Sequence, residues 1–141
     1  MSGRDCLAIL VAVAVAFVIG ALWYSPLLFG KSYVTLRGLN PAALAATRPP
    51  VGEMIGEFAR VLIVAFVLRY LLARMSVADV WGAAGVGLLV WFGFQAMMLW
   101  GAVLHEGMPW RLYAIHASDA LVKTVVMCLL LFAIRGARHQ P

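Results

Sequence analysis

Four stretches of this chain are almost unbroken in apolar residues. They run over about 7–29, 52–73, 78–104 and 111–134, and a membrane-crossing helix needs about 20 such residues. Polar punctuation falls between them. Arg4 and Asp5 precede the first stretch, Lys31 follows it, and Arg69 and Arg74 close the second. Ser76 and Asp79 then form a Ser-x-x-Asp helix-start signature before the third. His105-Glu-Gly-Met-Pro-Trp110 reads as a tight turn before the fourth.

The first stretch begins like a secretion signal. Its apolar run is long, however, and ends in Trp23-Tyr-Ser-Pro26 rather than at a small-residue cleavage site, so it reads as a retained helix. Pro26 is expected to kink or end that helix, with Gly30 as its stop. In the longest connection, residues 31–51, Asn40-Pro41 pairs an N-cap with a proline suited to a first helical position. That predicts a short surface helix over 41–47, ended by Pro49-Pro50. The third stretch carries Gly82, Gly85, Gly87, Gly93 and Gly101. Small residues let helices approach closely in lipid, which predicts a central place for this helix.

Composition turns this pattern into a class. The chain is 65% hydrophobic and 12% charged, against about a quarter charged in soluble domains. The expected fold is all-α: a single polytopic membrane domain over residues 1–141, with four transmembrane helices in an antiparallel bundle. A short interfacial helix is expected between the first and second. The formal net charge is +5, but most of the Lys and Arg lie at the ends of the stretches, where they anchor against headgroups. The partner this implies is a lipid bilayer and not nucleic acid; a homo-oligomer or a larger membrane complex stays open.

With four crossings both termini share one face. That face would hold Arg4, Arg69, Arg74, Arg135 and Arg138, against Lys31, Arg37, Arg48 and Arg111 on the other. The small excess favours cytoplasmic termini, and the near balance leaves dual insertion open. Trp23, Tyr24, Tyr33, Trp100, Trp110 and Tyr113 lean toward the opposite face. Cys6 and Cys128 form no Cys-x-x-Cys and fall toward the same face, where a disulfide is conceivable, but they read first as small apolar residues.

Charges inside the apolar stretches are the candidate chemistry, because an ionisable group within a membrane span marks a functional site by default. Glu53, Glu57 and Arg60 are spaced by four and three, and His116, Asp119 and Lys123 by three and four, so each trio shares one helix face. Both helices descend from the same membrane face. At about 1.5 Å per residue, Arg60 and Asp119 each lie roughly 12 Å below it, which makes Arg60–Asp119 the best-matched pair between helices, while within a helix Glu57 can reach Arg60 and Asp119 can reach Lys123. Gln95 falls at similar depth. These seven residues are the expected ligand- or ion-binding set. No zinc spacing, nucleophile elbow, phosphate-binding loop or metalloprotease motif is present. No metal, cofactor or enzymatic activity is therefore expected.

The segment Gly20-Ala-Leu-Trp-Tyr-Ser-Pro-Leu-Leu-Phe-Gly-Lys31 resembles the signature of a bacterial family of small four-helix membrane proteins of unknown function. Gly87-Leu-Leu-Val-Trp-Phe-Gly-Phe94 is similar to that family's third helix, and this chain has His116 where its fourth helix tends to carry Asn. The resemblance implies a fold and a membrane location without an activity. Physically, Trp23, Tyr24, Pro26, Phe29, Gly30 and Lys31 read as an interfacial stop: aromatic rings at the headgroups, a helix-ending proline, a snorkelling lysine. A lid over the polar pocket is the sharper alternative. Two functions remain open: a small solute, ion or proton permeation or binding protein, or an accessory subunit whose ion pairs only set helix packing.

Overall fold

The computed structural model describes residues 3–40, 42 and 50–134. Among these the chain is all-helical. Four long helices are α1 (Gly3–Trp23), α3 (Val51–Arg74), α4 (Val80–His105) and α5 (Trp110–Ile134), and one short helix, α2, covers Gly30–Leu36. Of the described helices, α1, α4 and α5 are long and apolar enough to cross a membrane. Helix α3 has 24 residues, also a crossing length, but carries Glu53, Glu57, Arg60, Arg69 and Arg74.

Pro26 ends the first helix as expected, and earlier than expected, at Trp23. Gly30 does not stop that helix; it opens α2. Its N–H donates to Ser25 O at 2.9 Å, and a Cβ there would collide with the Tyr24 and Ser25 carbonyls. The chain thus folds into a tight reversal that tolerates only glycine at that point. The short helix of this connection lies over Gly30–Leu36, whereas the expected one over 41–47 falls outside the described residues apart from Ala42. Asn40 Oδ1 does accept from Ala42 N–H at 2.9 Å, the bond an N-cap makes. Arg48, Arg135 and Arg138 also lie outside the described residues.

The cap of α4 is Asp79, which accepts from Gly82 N–H at 2.7 Å. Ser76 sits in a left-handed turn with φ 49° after α3 and so cannot serve as that cap. Gly107, with φ 68°, permits the turn into α5.

The central helix is α5, not the glycine-rich third. It packs against α1, α3 and α4 along its length and against α2 near its start. Of the α4 glycines, Gly87 approaches α5 closely: a Cβ there would stand 3.1 Å from Val125 Cα. Gly85, Gly93 and Gly101 face open space. The buried stripe of α4 is narrow, Ala83, Val86 and Gly87 in its first half, so most of its glycines lie off the contact.

The dry core occupies one end of the molecule. It joins Ala8 to Ala16 of α1, Val61 to Leu72 of α3, Ala83 and Val86 of α4, and Met127 to Leu131 of α5. Arg69 ties α3 to the start of α1 there, its Nε donating to Asp5 Oδ1 at 2.9 Å. Cys6 is exposed and Cys128 buried, both as free thiols. The other end of the molecule is not filled.

Candidate intramembrane polar cavity

A cavity of about 910 Å³ opens beyond the dry core, between the C-terminal turns of α1, the N-terminal half of α3, the second half of α4 and the first half of α5. All seven residues singled out from the sequence line it: Glu53, Glu57, Arg60, Gln95, His116, Asp119 and Lys123.

The expected pairs within each helix form, and the expected Arg60–Asp119 ion pair between helices does not. Arg60 grips Glu57 on its own helix through two bonds, Nε–Oε2 at 2.8 Å and Nη2–Oε1 at 2.6 Å. Asp119 Oδ2 instead accepts from Lys123 Nζ at 2.8 Å. The link between helices is Lys123 Nζ to Glu57 Oε1 at 3.8 Å. Equal Cα depth is a poor guide here because helical side chains lean toward the N-terminus of their own helix. Lys123 therefore reaches back one turn to Asp119 and on toward Glu57, while Arg60 reaches back to Glu57.

Burial divides this network in two. Arg60 and Glu57 stand at the rim, with side chains 60% and 38% exposed. Lys123 and Asp119 lie at depth, 7% and 8% exposed. Oδ1 of Asp119 is buried and meets no donor among the described residues. A buried carboxylate oxygen without a donor is expensive, and this one belongs to a residue that lines the cavity.

The Trp-Tyr-Ser-Pro-x-x-Phe-Gly-Lys element is docked on α5. Trp23 Nε1 donates to Ile115 O at 3.1 Å, and Tyr24 Oη lies 2.7 Å from His116 Nδ1. The Tyr33 ring from α2 meets both Tyr24 and His116 edge-on, with centroids 5.0 and 5.7 Å away. Tyr24 and Tyr33 thereby wall one side of the cavity. Phe29 stacks against Trp23 at 5.2 Å, and Lys31 is exposed at the edge.

Sequence reasoning missed several members of the site. Gly20 makes room for the ammonium: a Cβ there would come within 2.5 Å of Lys123 Nζ. Phe17, Gly20, Ala21 and Tyr24 line the cavity at helical spacing, a one-face pattern readable along α1 once the α5 charges are taken as its partner. Thr124 Oγ1 donates to Gln95 Oε1 at 2.9 Å. Gln95 belongs to a π-helical turn, Trp91–Ala96, within α4, and such turns recur at functional sites. Trp91 Nε1 in the same turn donates to Ala117 O at 2.7 Å. Nothing in the apolar periodicity marked that turn.

No group of three or more potential metal ligands is brought together among the described residues. The arrangement provides a lined void with buried opposite charges and apolar walls. A family model described as a protein of unknown function, DUF1761, matches residues 7–132. No curated protein and no solved structure matches the chain.

Proposed function

We propose, for a chain that belongs to the DUF1761 family and inherits no activity from it, a non-catalytic role: binding a small polar solute, ion or proton within the bilayer, as a step in its permeation. In this reading α3 is a fourth crossing, and the protein sits in a bacterial inner membrane with both termini cytoplasmic. The five charges of α3 do not oppose a crossing. Arg69 and Arg74 fall at its far end, while Glu53, Glu57 and Arg60 face or rim the cavity. Polar residues in membrane helices are tolerated where they face a bundle interior or a water-filled space.

The observation that carries the reading is the cavity itself. A protein that used buried ion pairs only to set helix packing would close around them. Asp5–Arg69, in the filled end, has that character. Lys123–Asp119 instead borders about 910 Å³ of space, within the usual range of roughly 300–1,000 Å³ for small-molecule sites.

The test is water access. Ala120, one residue past Asp119 and on the cavity wall, is replaced by Cys in a chain with Cys6→Ser and Cys128→Ala. A membrane-impermeant cationic thiol reagent should label Ala120→Cys in intact vesicles and leave Leu89→Cys, on an exposed face of α4, unlabelled. Labelling of neither would refute a solvated cavity and return the charges to a packing role.

A further inference from the structure

The hydrogen-bonding capacity left over in the cavity has a sign. Both lining cations are engaged by carboxylates: Arg60 by both oxygens of Glu57, and Lys123 by Asp119 and more distantly by Glu57. The carboxylates are not used up to the same degree. Asp119 Oδ1 is buried without a donor, and Glu53 makes no ion pair with a described residue. Three lining carboxylates face two lining cations, a formal excess of one negative charge with His116 neutral. An anion entering this space would meet that negative excess and find both cations already paired. A hydrogen-bond donor with positive charge would match that excess and, with a small shift of the Asp119 side chain, supply the donor that Oδ1 lacks.

The remaining walls are apolar and adaptable. Four of the chain's seven methionines, Met54, Met98, Met108 and Met127, line the cavity. Methionine is unbranched and polarisable and packs against varied shapes and aromatic rings. The volume of about 910 Å³ far exceeds what a bare ion and its few waters need. Charge and wall together describe an amphiphile with a cationic head.

We propose that the cavity is a site for small protonated amines with an apolar body: an ammonium N–H on Asp119 Oδ1 and a hydrocarbon or aromatic group among the methionines. This inference rests on the solvated-cavity reading above and names its ligand class. It also orders related cations. A quaternary ammonium carries the same charge but no N–H, so it leaves the Asp119 oxygen as unmatched as before.

The experiment is calorimetric titration of the full chain in detergent micelles, against micelles alone, at pH 7. The probes are phenethylammonium, its N,N,N-trimethyl analogue, 3-phenylpropionate and 2-phenylethanol. Phenethylammonium should bind. The trimethyl compound should bind at least tenfold more weakly, and the carboxylate should not bind. Asp119→Asn should weaken phenethylammonium at least tenfold and leave 2-phenylethanol unchanged. Where Asp119→Asn fails to fold, Asp119→Asn with Lys123→Met leaves no stranded charge and should show the same loss. Stronger binding of 3-phenylpropionate, equal binding of the trimethyl compound, or an undiminished affinity in the folded Asn variant would overturn the proposal. If phenethylammonium does not bind while Ala120→Cys is labelled, the ligand class is wrong and the solvated cavity stands. If neither occurs, both fall.

Discussion

Lys123→Met isolates the deepest charge contact. The side chains of Lys123 and Asp119 are 7% and 8% exposed, with 2.8 Å between Nζ and Oδ2. Methionine keeps the length and the apolar stem and removes the charge. Asp119 then loses its one hydrogen-bond donor among the described residues, while Oδ1 has none there. Arg60 does not take over, because Glu57 holds it at the rim. Removing one member of a buried pair typically costs about 3–5 kcal/mol, and Lys123→Met should fall in that range. Asp119→Asn should cost less, since Glu57 remains 3.8 Å from the ammonium. Arg60→Met breaks a pair whose members are 60% and 38% exposed, and exposed pairs are worth about 0–1 kcal/mol. The double variant Lys123→Met with Asp119→Asn should recover part of the single-variant loss, a coupling that a double-mutant cycle reads directly. The assay is equilibrium unfolding in mixed micelles, followed by far-UV circular dichroism. If Lys123→Met proves no more harmful than Arg60→Met, the difference in burial between the deep pair and the rim pair carries no energetic weight, and the reasoning fails.

Two further outcomes are expected. Gly87→Leu should lower the thermal midpoint in detergent, because even a Cβ at Gly87 would meet Val125 Cα at 3.1 Å, while Gly85→Leu should leave it nearly unchanged in open space; equal midpoints for the two variants would refute the assigned contact. Reporter fusions at both termini should be active only in the cytoplasm, and a periplasm-active C-terminal fusion would remove α3 as a crossing.

Much of this protein was legible in its order of residues. Runs of about 20 apolar residues have few alternatives to helix, so the four long helices were recognisable to within a few residues, except where Pro26 ended α1 at Trp23. The site was legible as well, because charge inside such a run is costly and two trios at helical spacing had to find company. Glu57, Arg60, His116, Asp119 and Lys123 do share one cavity.

What the order of residues did not contain was the direction and reach of side chains. It offered the cross-helix pair Arg60–Asp119 by depth and the within-helix pairs Glu57–Arg60 and Asp119–Lys123 by spacing, and the lean of helical side chains decides for the within-helix pairs. Nor did counting glycines identify the central helix. Close approach depends on which face a glycine occupies, and Gly87 faces α5 where Gly85 does not. The role of Gly20 has the same origin: its missing side chain matters only because Lys123, 103 positions later in the chain, lies over it. Apolar content and charge spacing are local properties that determine which segments become helices and which residues need partners. Only the packed arrangement, with its rotations and voids, decides which partner each one meets.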